Sequence, residues 1–112
     1  MVRYAILLNA GPSDVGPPVN ALQYALRLDA HGHEVAVFLE GPATKWPGEL
    51  TSMADHPLRE YYDEARNRGL LAGVCGFCAD RYGAAETCLD DGIRLHGGPE
   101  EHGPDVGRLA SD

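Results

Sequence analysis

Continuous apolar runs and helical repeats alternate along this chain. Such unbroken runs are typical of strands that are covered on both faces of a parallel sheet. They lie at residues 4–8, 34–39 and 70–74. Between the first two runs, apolar residues recur at helical spacing, and this helix is predicted to begin near Pro17 and to end before Gly32. This part of the chain therefore predicts a strand–helix–strand unit with a right-handed crossover.

The rest of the chain predicts further helices and strands. Residues 41–56 contain two glycines, two prolines and Trp46, which predicts a long loop. Trp46 either covers a site or pins this loop to the core. A helix is predicted from His56 to Gly69, because an apolar stripe recurs there at Leu58, Tyr61, Tyr62 and Ala65. After the third strand, we predict a short helix ending at Gly83, helical segments at 84–89 and 104–110, and a short strand at 93–95.

Composition narrows the class of protein. The chain has 112 residues, 44% hydrophobic and 23% charged, which predicts a single domain over residues 1–112. The net charge of −8 argues against a nucleic-acid partner. No apolar run is long enough to span a membrane, and the first one is too short for a signal peptide. Three cysteines, two of them in one CxxC motif, favour a reducing cytoplasm over a secreted disulfide scaffold.

The loops that follow the three predicted strands should meet at one edge of the sheet. Ligands of open α/β sheets bind outside the carboxyl ends of the strands. The loops span residues 9–16, 40–56 and 75–78. The first loop lacks both glycine-rich patterns of nucleotide-binding loops, so nucleotide binding is not supported. The residues predicted to bind a ligand at this edge are Asn9, Gly11, Ser13, Asp14, Gly76 and Phe77.

The motif Cys75-Gly76-Phe77-Cys78 places two thiols where a strand leads into a helix. Backbone N–H groups at a helix N-terminus favour thiolate over thiol and stabilise other anionic sulfur species. Cys75 follows the strand directly and is the better nucleophile, while Cys78 lies one helical turn further on. The alternative is that two small apolar residues simply pack a strand–helix corner.

Neither a metal site nor a further catalytic residue is predicted beside the CxxC motif. A structural zinc site needs four ligands, usually with a second CxxC or a paired histidine motif, and the chain has neither. We therefore expect no metal site and no cofactor. Cys88 is predicted to be a buried apolar residue of its helix. Asp80 is predicted to offset the helix dipole rather than to act as an acid.

The five histidines are predicted to be structural or solvated. His31 and His33 flank the end of the first helix, where the dipole explains a histidine. His56 precedes a proline and is predicted to cap the next helix, although its place at the end of the long loop also allows a role in the site. His96 and His102 lie in the polar C-terminal stretch and are expected to be solvated.

The chain resembles the DsrE/DsrF-like family of small sulfur-relay proteins. The resemblance lies in residues 6–9 with the glycine-proline loop after them, in residues 32–41, and most strongly in residues 73–78 leading on to 81–83. It implies a three-layer α/β/α fold with a mainly parallel sheet of four to five strands. It also implies assembly into homo-oligomers, trimers or hexamers.

The resemblance also implies a role for the CxxC motif. In sulfurtransferase members, a cysteine directly after the third strand carries sulfur as a persulfide, and by position this is Cys75. Cys78 is then an additional thiol that some members have. Family members commonly finish with a short strand after the last helix. This sequence offers none before Asp112, so we expect a smaller sheet or an edge covered by a partner subunit.

Three functions are consistent with these residues. The first is a cytoplasmic sulfur carrier or sulfurtransferase that loads Cys75 from a donor protein and unloads it to an acceptor protein. The second is a dithiol redox protein that cycles a disulfide between Cys75 and Cys78. The third is a non-enzymatic oligomeric module that binds a small ligand or partner at the strand ends.

Overall fold

The computed structural model describes residues 2–111. Its centre is a sheet of four parallel strands in the order β1-β2-β3-β4. The strands are β1 (Arg3–Leu8), β2 (Glu34–Leu39), β3 (Leu71–Cys75) and β4 (Leu95–His96). The predicted parallel sheet is thus confirmed, and all four carboxyl ends lie at one edge of it.

Helices connect these strands. They are α1 (Gly16–Ala30), α2 (Trp46–Ser52), α3 (Arg59–Asn67), α4 (Gly76–Arg81), α5 (Ala85–Asp90) and α6 (Val106–Ser111), with a 3₁₀ helix at Gly41–Lys45. The helix α1 begins with prolines in its first turn, where a missing N–H is harmless. It ends at Ala30, two residues before Gly32, whose φ of 83° favours glycine. No helix within residues 2–111 is long and apolar enough to cross a membrane.

The fold has three layers. Helices α1 and α3 pack against each other and, with α2 and α5, cover one face of the sheet. The buried core lies in this layer and includes Leu22, Val37, Trp46, Leu58, Tyr62, Val74 and Cys88. On the opposite face, the helix α6 and the strands β1 and β2 line one groove. The predicted three-layer α/β/α architecture is therefore confirmed.

The predicted long loop at 41–56 is wrong, because most of it is helical. The 3₁₀ helix and α2 follow each other directly from residue 41 to residue 52. Each begins with a proline in its first turn, Pro42 and Pro47, so residues that signal a loop here start helices instead. Trp46 is 1% exposed, and its indole N–H donates to the carbonyl of Ala10 at 2.8 Å. Of the two roles considered for Trp46, the structure shows the one that pins this segment to the core.

The first strand is less covered than its apolar run predicts. It is an edge strand, and Tyr4 and Leu7 are 39% and 41% exposed. Only Leu8 of β1 is buried, because the helical layer covers the end of the strand that leads into the candidate site. The expectation that β1 is covered on both faces is wrong.

Candidate functional site

The junction between β3 and α4 holds both thiols of the CxxC motif. Cys75 is the last residue of β3 and the N-cap of α4, and the backbone N–H of Cys78 donates to its sulfur at 3.4 Å. This is the usual capping arrangement, with a thiol in the place of an oxygen acceptor. Cys75 is 1% exposed, whereas Cys78 is partly exposed. Both cysteines are free thiols.

A histidine completes this cluster. The Nδ1 atom of His102 lies 3.4 Å from the sulfur of Cys75 and 3.7 Å from the sulfur of Cys78. Its ring packs on the ring of Phe77, with the centroids 4.1 Å apart. His102 is exposed, as expected from sequence, but its contacts with both sulfurs were not predicted. The ligating atoms of these two cysteines and His102 lie within 4.8 Å of one another.

The parallel pairing of β3 and β4 brings His102 to the thiols. Cys75 is in register with His96, so the residues that follow each of them leave the sheet at the same edge. Two glycines then allow residues 97–103, the returning segment, to lie close to the CxxC motif. A side chain at Gly76 would collide with the carbonyl of Gly97, and one at Gly103 would collide with the carbonyl of His96. The sequence did contain a signal for the position of His102. A fourth parallel strand places the residues after it at the same sheet edge as Cys75.

The first and middle connections also reach the cluster, as predicted for loops at one sheet edge. A side chain at Gly11 would collide with Pro42, and Gly41 lies beside Asn9. The backbone N–H of Gly41 in turn lies close enough to Cys78 to lower the pKa of its thiol. The connections that follow β1 and β2 thus meet each other beside the junction of β3 and α4.

Of the six predicted ligand-binding residues, four lie in or beside the segments around the CxxC motif, and two lie in an exposed turn. Asn9 and Gly11 border the segment that touches Cys78, while Gly76 and Phe77 lie inside the CxxC motif and contact the returning segment. Ser13 and Asp14 are exposed in a turn that is closed by a hydrogen bond from the Asp14 N–H to the Gly11 carbonyl. Within residues 2–111, no side-chain hydrogen bond joins either of them to the cysteines.

The local environment disfavours the charged form of Cys78. Partial burial raises the pKa of this thiol, and the hydrogen bond and negative charge of Cys75 raise it further. The negative charge of Glu40 adds to the increase, while the N–H of Gly41 acts in the opposite direction on the pKa. A second negative charge beside the Cys75 sulfur is therefore unfavourable, and a cation or a proton between the two sulfurs would relieve the repulsion.

The third cysteine is a packing residue, as predicted. Cys88 is fully buried in the helical layer, and its S–H donates to the carbonyl of Thr44 at 3.3 Å. Burial, with a smaller contribution from Asp91, raises the pKa of Cys88 to about 11.

The other histidines have structural partners. The Nδ1 atom of His56 accepts the Leu58 N–H in the turn before α3, and its ring packs on Trp46. The N-cap of α3 is Leu58 and it has no side-chain capping bond, so the prediction that His56 caps this helix is wrong. The ring of His96 lies against Phe38, and its Nε2 is 3.1 Å from the carbonyl oxygen of Ala72. His96 is therefore half-buried on the sheet rather than solvated, which corrects the prediction.

Comparison with known proteins gives two matches. A model of the DsrE/DsrF-like family matches residues 2–100. An uncharacterized protein of Methanocaldococcus jannaschii is 31% identical over 68 residues, which are 61% of this chain and 53% of that protein. The chain thus spans about half the length of this relative.

Proposed function

Because this chain belongs to the DsrE/DsrF-like family, we propose that it carries sulfane sulfur as a persulfide on Cys75 and passes it to a partner protein. The position of the Cys75 sulfur supports this proposal most strongly. It lies at the end of β3, accepts the N–H of Cys78, and is in contact with the imidazole of His102. Hydrogen-bond donors around a sulfur stabilise its anionic forms, including a persulfide.

The proposed loading step is a thiol–persulfide exchange. The Cys75 thiolate attacks the outer sulfur of a persulfide donor, the sulfur–sulfur bond of the donor breaks, and the donor leaves as a thiolate. His102 is placed to take the Cys75 proton first and to return a proton to the departing thiolate. Unloading is the same exchange, with a thiolate of the acceptor protein attacking the outer sulfur. Neither step changes the net oxidation state.

Access to Cys75 depends on the segment that carries His102. Cys75 is 1% exposed, and the residues after β4 cover it at the sheet edge. Of the described residues on this segment, Glu100, Glu101 and His102 are exposed, so the cover is at the surface. We propose that donor and acceptor proteins displace this cover, and that Cys78 assists as the neighbouring thiol. A reducing cytoplasm would keep all three thiols available.

Intact mass after incubation with a persulfide donor tests the proposal. We expect a gain of about 32 Da, or a multiple, on the native chain, because each transferred sulfur atom remains covalently bound. The variant Cys75→Ser should lose this gain and keep the circular dichroism of the native chain. The variant Cys88→Ala is the matched control and should load sulfur normally. If loading persists in Cys75→Ser and disappears in Cys78→Ser, the sulfur acceptor is Cys78 and the proposed role of Cys75 is wrong.

A dithiol redox cycle is the second candidate, and the adjacency of the two sulfurs favours it. Both sulfurs lie within 4.8 Å of the same His102 nitrogen and of each other. Mild oxidation would then give a loss of about 2 Da through a disulfide, with no sulfur adduct after donor treatment. If neither modification forms, a non-enzymatic binding module remains as the explanation.

We also propose that copies of this chain assemble into a homo-oligomer, as the family resemblance suggests. The uncovered part of β1 supports an interface there, because Tyr4 and Leu7 expose apolar surface. A groove of about 480 Å³ between β1, β2 and α6 lies on the same face. Light scattering at micromolar concentration tests this, and a monomeric mass would contradict it.

A further inference from the structure

We propose that Cys75, Cys78 and His102 bind one Zn²⁺ ion through their two sulfur atoms and Nδ1, with the fourth position open. This inference goes beyond sulfur transfer and does not depend on it. A closed structural site needs four protein ligands, whereas an open site needs three and leaves one position to water or an incoming ligand. The sequence lacks a fourth ligand, which argues only against the closed type.

The distances in the cluster match those of a tetrahedral zinc site. Zinc–sulfur bonds near 2.3 Å and zinc–nitrogen bonds near 2.0–2.1 Å, at tetrahedral angles, place sulfur and nitrogen about 3.6 Å apart. The two sulfur–nitrogen distances here are 3.4 and 3.7 Å, and both involve the same nitrogen. The two sulfur atoms lie within 4.8 Å of each other, and a tetrahedral zinc ion holds two sulfurs about 3.8 Å apart, so an approach of at most about 1 Å between the side chains brings all three atoms to bonding distance.

The donor set selects a soft ion. Two thiolates and one imidazole suit zinc, while Mg²⁺ and Ca²⁺ prefer oxygen ligands. Two thiolates also balance the charge of a divalent ion, which leaves the partly buried site neutral; Cu⁺ would leave it with one negative charge. The negative charge of Glu40 nearby adds to the attraction for a cation.

The surroundings already hold the three ligands in place. The Cys78 N–H donates to the sulfur of Cys75 at 3.4 Å, which fixes the position of that sulfur. The ring of Phe77 packs on the ring of His102 and limits its rotation. Hydrogen bonds and contacts of this kind orient metal ligands and contribute to affinity. The ligands therefore come from two segments, 75–78 and 97–103, that the sheet edge has already brought together.

Zinc binding and sulfur loading would use the same sulfur atoms. A zinc-bound Cys75 thiolate is a weaker nucleophile than a free one, so the metal-bound form would be protected from loading and from disulfide formation. We infer that the metal-free form is the reactive one. His102 distinguishes the two activities. Its Nδ1 atom is a zinc ligand, whereas the transferred sulfur is accepted by the sulfur of Cys75.

The test measures zinc and cobalt binding to the full metal-free chain. Native mass spectrometry after addition of zinc sulfate should show one zinc ion per chain. Addition of Co²⁺ should give a thiolate-to-cobalt absorption band and the visible bands of a tetrahedral site. His102→Ala should weaken zinc binding by more than about 100-fold, since even an outer partner of a ligand contributes 10–100-fold. Cys78→Ser should lose the cobalt bands.

Two matched variants control for general effects. His31→Ala removes an exposed histidine at the end of α1, and Cys88→Ala removes the thiol outside the cluster. Both should bind zinc as the native chain does. If His102→Ala keeps its circular dichroism and binds zinc within about threefold of the native chain, or if the native chain takes up no zinc, the proposal is wrong. A chain that loads sulfur but takes up no zinc overturns this inference alone, and the reverse result overturns only the proposed sulfur transfer.

Discussion

The three cysteines of this chain lie in two environments that differ in the partners of the sulfur atoms. Cys75 and Cys78 lie at the sheet edge, with backbone N–H groups and an imidazole in contact with sulfur. Cys88 lies in the helical layer, fully buried, with one carbonyl as its partner. A donor or an imidazole stabilises a thiolate, whereas a carbonyl stabilises only the neutral thiol. The partners of a sulfur, more than its position in the sequence, therefore determine what it can do.

The helical layer around Cys88 is held by a polar link as well as by packing. The hydroxyl of Tyr62 donates to Asp91 at the end of α5, and the guanidinium of Arg66 binds the same carboxylate. This link joins α3 to the helix that carries Cys88. Burial raises the pKa of Tyr62 above its ordinary range, and the hydrogen bond to Asp91 raises it further. Among residues 2–111, no ion-paired link of this kind crosses the sheet edge, and Cys78 is partly exposed there while Cys75 is buried.

The largest expected difference between the two environments is in alkylation rate. At pH 8, iodoacetamide should modify Cys78 at least about 100-fold faster than Cys88, because Cys88 is both buried and almost entirely protonated. Peptide mapping by mass spectrometry after timed quenching measures both rates in one sample. The denatured chain is the control, and all three cysteines should react there. Similar native rates for the two thiols would show that α5 opens readily and would remove the distinction.

Much of this arrangement could be predicted from the sequence. Continuous apolar runs identified β1, β2 and β3 and indicated parallel pairing, and β2 matched its predicted range, Glu34–Leu39. The order of strand and helix then placed Cys75 at the carboxyl edge. Two ion pairs at the i, i+4 spacing of a helix, Arg59 with Asp63 and Arg68 with Glu64, are present along α3. These features depend on local periodicity and on the general rule for parallel sheets, which a sequence contains.

The missed features depend on packing between distant segments. His102 meets the thiols only because β4 is parallel to β3 and glycines let the next segment approach. The helical segment 41–52 is fixed to the core by the hydrogen bond from Trp46 to Ala10, a contact across 36 positions that composition does not reveal. The exposure of Tyr4 and Leu7 follows from the edge position of β1, which an apolar run cannot show.

The two environments should also differ in how pH affects folding. The ordinary pKa of a thiol here is 9.0, and Cys88 reaches about 11 in the folded chain. Between these values the unfolded chain has lost this proton while the folded chain keeps it, so the free energy of unfolding falls as pH rises. We expect Cys88 to account for a loss of about 2 kcal/mol between pH 8 and pH 11. Urea unfolding at both pH values measures it.

The variant Cys88→Ala isolates this contribution. It should lose about 2 kcal/mol less stability than the native chain over the same pH interval, because the other titrating groups are common to both. Tyr62 adds its own loss above pH 10 in both chains, with the same sign. An equal loss in the native chain and in Cys88→Ala would show that this thiol does not titrate differently on folding.

Removing the polar link should have a smaller effect. Tyr62→Phe deletes the hydrogen bond to Asp91 but keeps the ring and leaves Arg66 on the carboxylate. We expect a loss of about 1–2 kcal/mol in the free energy of unfolding at neutral pH, as for a hydrogen bond to a charged group. Tyr24→Phe, on an exposed tyrosine, is the control and should change stability little. A loss no larger than that of the control would mean that packing alone holds α5 to α3.

The smallest expected effect is the most informative about the sheet edge. Cys78→Ala should change the free energy of unfolding by less than about 0.5 kcal/mol, because the side chain is partly exposed and no buried group depends on it. Cys88→Ala removes a fully buried sulfur and should cost about 1 kcal/mol at neutral pH, comparable to the loss of one buried methyl group. Parallel urea titrations compare the two variants directly. A functional thiol need not stabilise the fold, so a larger loss in Cys78→Ala than in Cys88→Ala would identify the CxxC motif as a structural corner.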